Sequence, residues 1–258
     1  MILQNVKNYI TANSVLVRNM VSELYINYGT GKDIGTLTLK DLINTPEDLG
    51  ALYTKIEVYL NQSKLLENNI IDININDFAD SSAYLLNANS NLVNVSDMYV
   101  YPFYKSIDKN YIGVQYFPSY EWTFYGGENI RTYAFVINIW DINNAKAAGN
   151  FIVNFRTDGI GNSFGEYSNL LEGTVMILQK DGRVLYDSSG KYYGRVYPDM
   201  NNVSTTGKAV IDGLKCFITT LAINDSGYIA VGIIPSSIIW GGIADTLIVS
   251  AHISTSSR

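Results

Sequence analysis

Fifteen residues, Tyr111–Tyr125, read YIGVQYFPSYEWTFY and hold Tyr111, Tyr116, Phe117, Tyr120, Trp122, Phe124 and Tyr125. Rings in such density suit a small-molecule pocket: they supply apolar area, and the polar tips of Tyr and Trp fix orientation. Tyr116, Tyr120, Trp122 and Tyr125 are the residues expected to face a ligand. Tyr99 and Tyr101 alternate with Val100, so both fall on one face of a strand, and Tyr101 is expected to reach the same pocket. Arg131, at the start of the next apolar run, is the nearby cation able to meet an anionic group. Each ring also has an ordinary packing role open to it.

The other familiar chemistries lack their residues. One His (His252) and one Cys (Cys216) leave no set for a His- or Cys-based metal centre and no internal disulfide. His252 lies near the chain end and would have to fold back onto a site to serve a Ser–His–Asp triad. The carboxylates Asp141, Asp158, Asp181 and Asp187 form no dense calcium loop, and two of them sit in turn sequences. Gly126-Gly127 and Gly159-Ile160-Gly161 lack the strand–loop–helix context of a phosphate cradle. No catalytic residue, metal ligand or cofactor is assigned, and this stretch of chain is not expected to be an enzyme. A net charge of −6 without a basic cluster argues against nucleic acid.

The elements that must position the rings follow from periodicity. Residues 5–27 carry Val6, Ile10, Val17, Met20, Val21 and Leu24 at helical spacing. Thr45-Pro46-Glu47-Asp48 opens a second helix to about residue 67. Ile70–Ile75 alternates Ile with Asp and Asn, the mark of a half-buried strand. Strands are expected at 97–104, 111–117, 121–125, 130–141 and 150–155, the last two joined as a hairpin through Asn143–Lys146. Pro118-Ser119 separates the second from the third. A short helix is expected at 163–171, then strands at 174–179, 184–187, 207–220 and 228–234, with Asp181-Gly182 as a hairpin turn. The segment 228–249 is apolar enough to be weighed as a membrane span, but Pro235 and Gly241-Gly242 break it. It reads as a strand, a turn and a closing helix over 236–250. Strands in runs favour an α+β fold over a doubly wound sheet.

The order of these pieces resembles the double-Cache, tandem PAS-like, sensor domains of bacterial receptors, especially integral-membrane sensor histidine kinases. Asn129–Phe155 is similar to the strand pair that closes the membrane-distal module. Gly173–Ser189 is similar to the opening hairpin of the proximal module, Gly213–Asp225 to its return strands, and Gly227–Ile239 to its last strand and step into the exit helix. The resemblance implies a long N-terminal helix (1–45 with its connection), a distal module (46–162), a proximal module (163–235) and an exit helix (236–258), each module an antiparallel sheet with helical cover. It further implies an extracytoplasmic position, flanking membrane helices, a homodimer through the N-terminal helix and a ligand in the distal module. A chemotaxis receptor carries the same module type, and a freestanding carbohydrate-binding or adhesin-like module is the other class left open.

One subgroup of that family binds α-amino acids with an Arg two residues before a Trp and an Asp on the strand after a Gly. Trp122 matches the Trp. Tyr120 stands in the Arg position and, counting from Gly149, Asn154 stands in the Asp position. The charged pair becomes a neutral one, and the expected ligand is therefore a small uncharged polar molecule, saccharide-like.

Overall fold

The computed structural model describes residues 2–28, 69–78, 83–87, 92–94, 102–123, 129–141, 145–164, 173–223 and 226–239. The expected helix over 45–67, most of the strand over 97–104, most of the helix over 163–171 and most of the closing helix lie outside these residues, as do Tyr101 and Tyr125. The described chain is α+β: helix α1 (Ile2–Tyr28) and two antiparallel sheets. It divides into a first unit, Asn8–Ser163, and a second unit, Met1–Lys7 with Phe164–Arg258.

The first unit holds β1 (Ile70–Asp77), β2 (Ala83–Asn87), β3 (Leu92–Asn94), β4 (Val114–Thr123), β5 (Asn129–Asp141) and β6 (Lys146–Arg156) in the order β3-β2-β1-β6-β5-β4. Helix α2 (Asp158–Asn162) follows β6 directly. From α1, Ile10, Asn13, Ser14, Leu16, Val17, Met20 and Val21 are buried. One sheet face packs Tyr133, Phe135 and Phe155 together, with Tyr133 and Phe155 stacked at 5.3 Å. Polar ties bind α1 to this face: Asn13 Nδ2 donates to the Tyr133 hydroxyl at 2.7 Å, and Ser14 Oγ shares a 2.8 Å hydrogen bond with the Tyr116 hydroxyl.

Strand β4 runs unbroken through Pro118, where the sequence suggests a break. It is an edge strand, so a residue without an N–H is tolerated on its outer side. The register slips between Phe117 and Tyr120, the mark of a bulge. That extra residue changes which rings share a face. Phe117 pairs with Ala134, Tyr120 with Thr132 and Trp122 with Ile130, so all three lie opposite the α1 side. Without the bulge, Phe117 and Tyr120 would project to opposite faces.

The second unit holds β7 (Thr174–Gln179), β8 (Val184–Asp187), β9 (Gly207–Ile211), β10 (Leu214–Ile223) and β11 (Tyr228–Pro235), in the order β8-β7-β11-β10-β9. A short helix α3 (Met200–Val203) sits between β8 and β9. The expected single strand over 207–220 is two strands, because Asp212-Gly213 is a tight turn with φ of 50° and 79°. The Tyr228–Pro235 part of the apolar segment weighed as a span is a sheet strand. Among the described residues no helix is long and apolar enough to cross a membrane. At the β7–β8 turn, Gly182 has φ +85° and Val196 Cγ1 lies 3.2 Å from where a Cβ would stand. Gly182→Ala is expected to cost about 1–2 kcal/mol, read by urea unfolding, because an L side chain is strained there.

One core of the second unit is Met176, Leu178, Val184, Tyr197, Val203, Ile211, Cys216, Ile218, Val231 and Ile233, all apolar. Its buried carboxylate, Asp187, is consumed by its own turn: it accepts from Ser189 N at 2.8 Å, Ser189 Oγ at 2.7 Å and Tyr192 N at 2.9 Å. The first unit is different in kind.

Candidate functional site

The face of the first sheet opposite α1 carries a buried polar layer. Paired residues share a face, so the registers Asp72↔Asn154, Asn74↔Ile152 and Asn76↔Asn150, with Asn154↔Ala134 and Asn138↔Asn150, place all of these side chains on this side. Asp72, Asn74, Asn76, Asn138, Asn150 and Asn154 are each at most 2% exposed. The Ile–Asp/Asn alternation of β1 is thus real, but the strand is not half-buried. It lies inside the sheet between β2 and β6, and its polar side is as deeply covered as its apolar side. A polar layer enclosed in this way is the informative observation in an interior, since each buried group needs a partner.

A hydrogen-bond chain crosses the layer. The Tyr120 hydroxyl donates to Asn154 Oδ1, and Asn154 Nδ2 donates to Asp72 Oδ1. The bulge in β4 makes this possible by turning Tyr120 inward. Burial, and after it the negative charge of Asp72, push the Tyr120 phenol well above its ordinary value. A second hydrogen bond lies four residues further along: Asn76 Nδ2 donates to Asn150 Oδ1. Beside both, Phe103, Ile107, Phe117, Ala134, Val136 and Ile152 form an apolar wall, with Tyr104, Tyr120 and Trp122 packed on it. Phe103 stacks on Phe117 at 4.5 Å and tilts against Tyr120 at 5.2 Å.

The segment from Phe103 to Tyr111 is laced to the sheet. Asn138 Nδ2 donates to Asp108 O at 2.8 Å and to Tyr111 O at 3.0 Å. Gln115 Nε2 donates to Asp108 O at 2.9 Å, and Gln115 Oε1 accepts from Asp108 N at 2.8 Å. The strand expected to reach Tyr104 gives way there to a single 3₁₀ turn, Tyr104–Ser106.

Of the residues expected from the sequence, Tyr120, Trp122 and Asn154 are brought to this face. Tyr116 is not. Its ring meets Phe135 at 4.7 Å and its hydroxyl meets Ser14, on the α1 side. Arg131 is not either: it pairs with Glu121, on the α1 side of the sheet, and is exposed. The structure adds Asp72, Asn74, Asn76, Asn138, Asn150 and Phe103 to this face. The signal for β1 was present as Asp72, Asn74 and Asn76 at period two, but alternation alone does not say whether its polar side meets water or a site.

Asp72 also corrects the expectation of an uncharged site. Tyr120 and Asn154 are neutral where an Arg and an Asp would stand, but a carboxylate enters from the neighbouring strand and bonds directly to Asn154. Among the described residues, the cation that strand pairing places on this face is Arg156, opposite Thr132, and it is ion-paired with Asp158 at 3.3 Å.

The raised tyrosines give a pH signature. Burial raises Tyr9 and Tyr120, and Tyr197 in the second unit is pushed up to about 12. A group whose folded value stands above its unfolded 10.0 contributes stability that is whole below pH 10 and is lost as pH rises from there through the folded value. Denaturation midpoints are expected to be insensitive to these tyrosines up to pH 10 and to fall above it, with phenolate absorbance rising in step with unfolding.

No protein-family model matches the chain, and no curated protein matches it by sequence. Solved structures do. The sensory domain of the Campylobacter jejuni chemoreceptor Tlp3, with isoleucine bound, superposes with a TM-score of 0.56 at 12% identity, over 92% of this chain and 91% of that one. The ligand-binding domain of the Pseudomonas fluorescens chemoreceptor CtaA, in complex with L-isoleucine, gives 0.58 at 10%, over 93% and 90%. The extracellular domain of the putative histidine kinase rpHK1S-Z16 gives 0.56 at 12%, over 92% and 90%. At these identities the likeness is one of fold, and the fold is that of chemoreceptor and histidine kinase sensory domains, as the order of the sequence segments implied.

Proposed function

We propose that this chain is the extracytoplasmic ligand-sensing domain of a transmembrane signalling receptor, and that the polar face of the first sheet binds a small molecule bearing an ammonium group. The observation that carries the reading is the buried chain Tyr120–Asn154–Asp72 beside an aromatic wall. An ammonium placed at Asp72 meets a carboxylate already oriented by Asn154, and such charge-assisted bonds are the strong ones. Phe103, Phe117, Tyr120 and Trp122 supply the apolar surface that excludes water. The solved neighbours crystallised with isoleucine hold a ligand that also carries an ammonium, which supports the class. The saccharide-like ligand expected from positions 120 and 154 gives way to this one because those positions omit Asp72.

The first unit is the distal, ligand-binding module in this reading and the second the proximal one, whose buried carboxylate Asp187 is taken up by its own turn. Chemoreceptor and histidine kinase sensory domains are both among the neighbours, and the kinase remains the output we infer from the sequence order. The receptor would pair through α1, on whose outer side Val15 is 47% exposed. Two observations test the reading. The gene is expected to encode an apolar segment of about 20 residues on each side of this region; a gene without them contradicts the receptor assignment. A thermal-shift screen of amines, amino acids and sugars is expected to give stabilisation by amine-bearing compounds, and stabilisation by neutral sugars alone would contradict the ligand class.

A further inference from the structure

Asn74 and Asn76 follow one another on the buried polar side of β1, about 6.7 Å apart, which is two residues of strand. Each is 1% exposed. Their carboxamides stand differently. Asn76 uses its Nδ2 on Asn150 Oδ1, and its own Oδ1 is buried without a donor. Asn74 Oδ1 is buried without a donor as well, and Asn74 Nδ2 makes no hydrogen bond to a described residue. Buried polar groups left in this way are costly, and interiors rarely keep them. Asn138 Oδ1 is a further buried acceptor without a donor, but Asn150 stands between Asn138 and Asn76 in the register.

The inventory of donors and acceptors selects the partner. Together Asn74 and Asn76 present two oxygens that need donors and one NH2 that needs an acceptor. An ammonium donates but cannot accept, and leaves Asn74 Nδ2 unmet. A carboxylate accepts but cannot donate, and leaves both oxygens unmet. A single hydroxyl answers Asn74 and leaves Asn76 Oδ1. A primary carboxamide carries the matching set. One N–H and its C=O close a reciprocal pair with the Asn74 carboxamide, and the second N–H turns to Asn76 Oδ1. The two hydrogens of one amide nitrogen reach acceptors about 5 Å apart, a span that side chains on alternate residues of a strand can present. Neither partner is charged, so the pairing needs no counter-ion.

The register also supplies a surface for the rest of the molecule. Asn74 pairs with Ile152, and Ile152 with Val136. Both belong to the apolar wall that includes Phe103 and Phe117. We propose that Asn74 and Asn76 form a recognition site for a neutral primary carboxamide carried on an apolar body. The site stands apart from the amine reading above and draws nothing from the charge of Asp72.

Calorimetric titration of the whole chain with benzamide and with acetophenone, in which a methyl replaces the NH2, tests this. Benzamide is expected to bind about tenfold more tightly or better, the effect of donors that acceptors in the site would otherwise lack. Equal affinities overturn the proposal, because the ring and the carbonyl would then suffice. Binding by neither also overturns it, and means that water alone meets the two oxygens. Asn74→Leu puts an apolar group of similar size in place of the unpaired carboxamide. In it the preference for benzamide over acetophenone is expected to vanish, with Tm at or above the parent. Should Leu not fold, Asn74→Ser, too short to close the pair, is expected to shift the preference the same way. A folded variant with the parental preference would show that the carboxamide serves only the fold, and the site would fall. Benzylamine, titrated alongside, keeps the two readings apart. Its binding without that of benzamide sinks the carboxamide site alone; benzamide binding without it sinks the amine reading alone.

Discussion

Asp72→Asn is expected to weaken binding of an amine ligand by about 30-fold or more while the domain stays folded. Truncating one partner of a buried, hydrogen-bonded charge pair costs about 2–5 kcal/mol, and each 1.4 kcal/mol is tenfold. The substitution keeps the shape and an acceptor oxygen toward Asn154 Nδ2, so the chain to Tyr120 can persist. What it removes is the charge. An internal control comes with it: Asp72's charge is the second cause, after burial, of the raised Tyr120 phenol, so the variant is expected to titrate Tyr120 at lower pH than the parent. Titration calorimetry and alkaline ultraviolet difference spectra read the two effects. Lost affinity with an unmoved phenol would mean that the site had rearranged and not merely lost its charge.

The other large effect lies on the opposite face. Phe155 is fully buried, stacked on Tyr133 at 5.3 Å and tilted against Phe135 at 5.2 Å. Phe155→Ala is expected to destabilise the first unit by about 3–5 kcal/mol, from lost burial and the cavity left behind. Tm is expected to fall by on the order of 10 °C. Because Phe155 follows Asn154 on β6 and points away from it, amine affinity measured well below Tm is expected to be little changed. A variant with parental Tm would contradict the packing assigned to α1 and the sheet.

Local chemistry made much of the fold legible. Strands β7 and β8 fall at the bounds read from the sequence because Asp181-Gly182 announces their turn and apolar runs flank it. The same two-residue signal stands at Asp212-Gly213 and divides the single strand expected over 207–220 into β9 and β10. The break expected at Pro118-Ser119 is instead a bulge. A proline on an edge strand spares a hydrogen bond that the edge does not make, and which strand is the edge is a matter of tertiary order.

The site was legible only in part, for a related reason. The aromatic density around Tyr120 and Trp122 is visible in the linear order. Which rings share a face is not, because the bulge inverts the parity between Phe117 and Tyr120 and leaves Tyr116 with α1. Asp72 is 82 residues from the Asn154 it bonds. No local pattern joins the two; β1 and β6 become neighbours only when the sheet forms. Comparing positions 120 and 154 alone gave a neutral site, and the charge arrives from a strand outside that comparison.

A crystal structure of the domain with a bound amine tests the central claim most directly. The account predicts ligand density on the face opposite α1, with the nitrogen within hydrogen-bond distance of Asp72 and the body of the molecule against Tyr120 and Trp122. Density on the α1 side, near Tyr116 and Arg131, or in the second unit with the polar face empty, would contradict it.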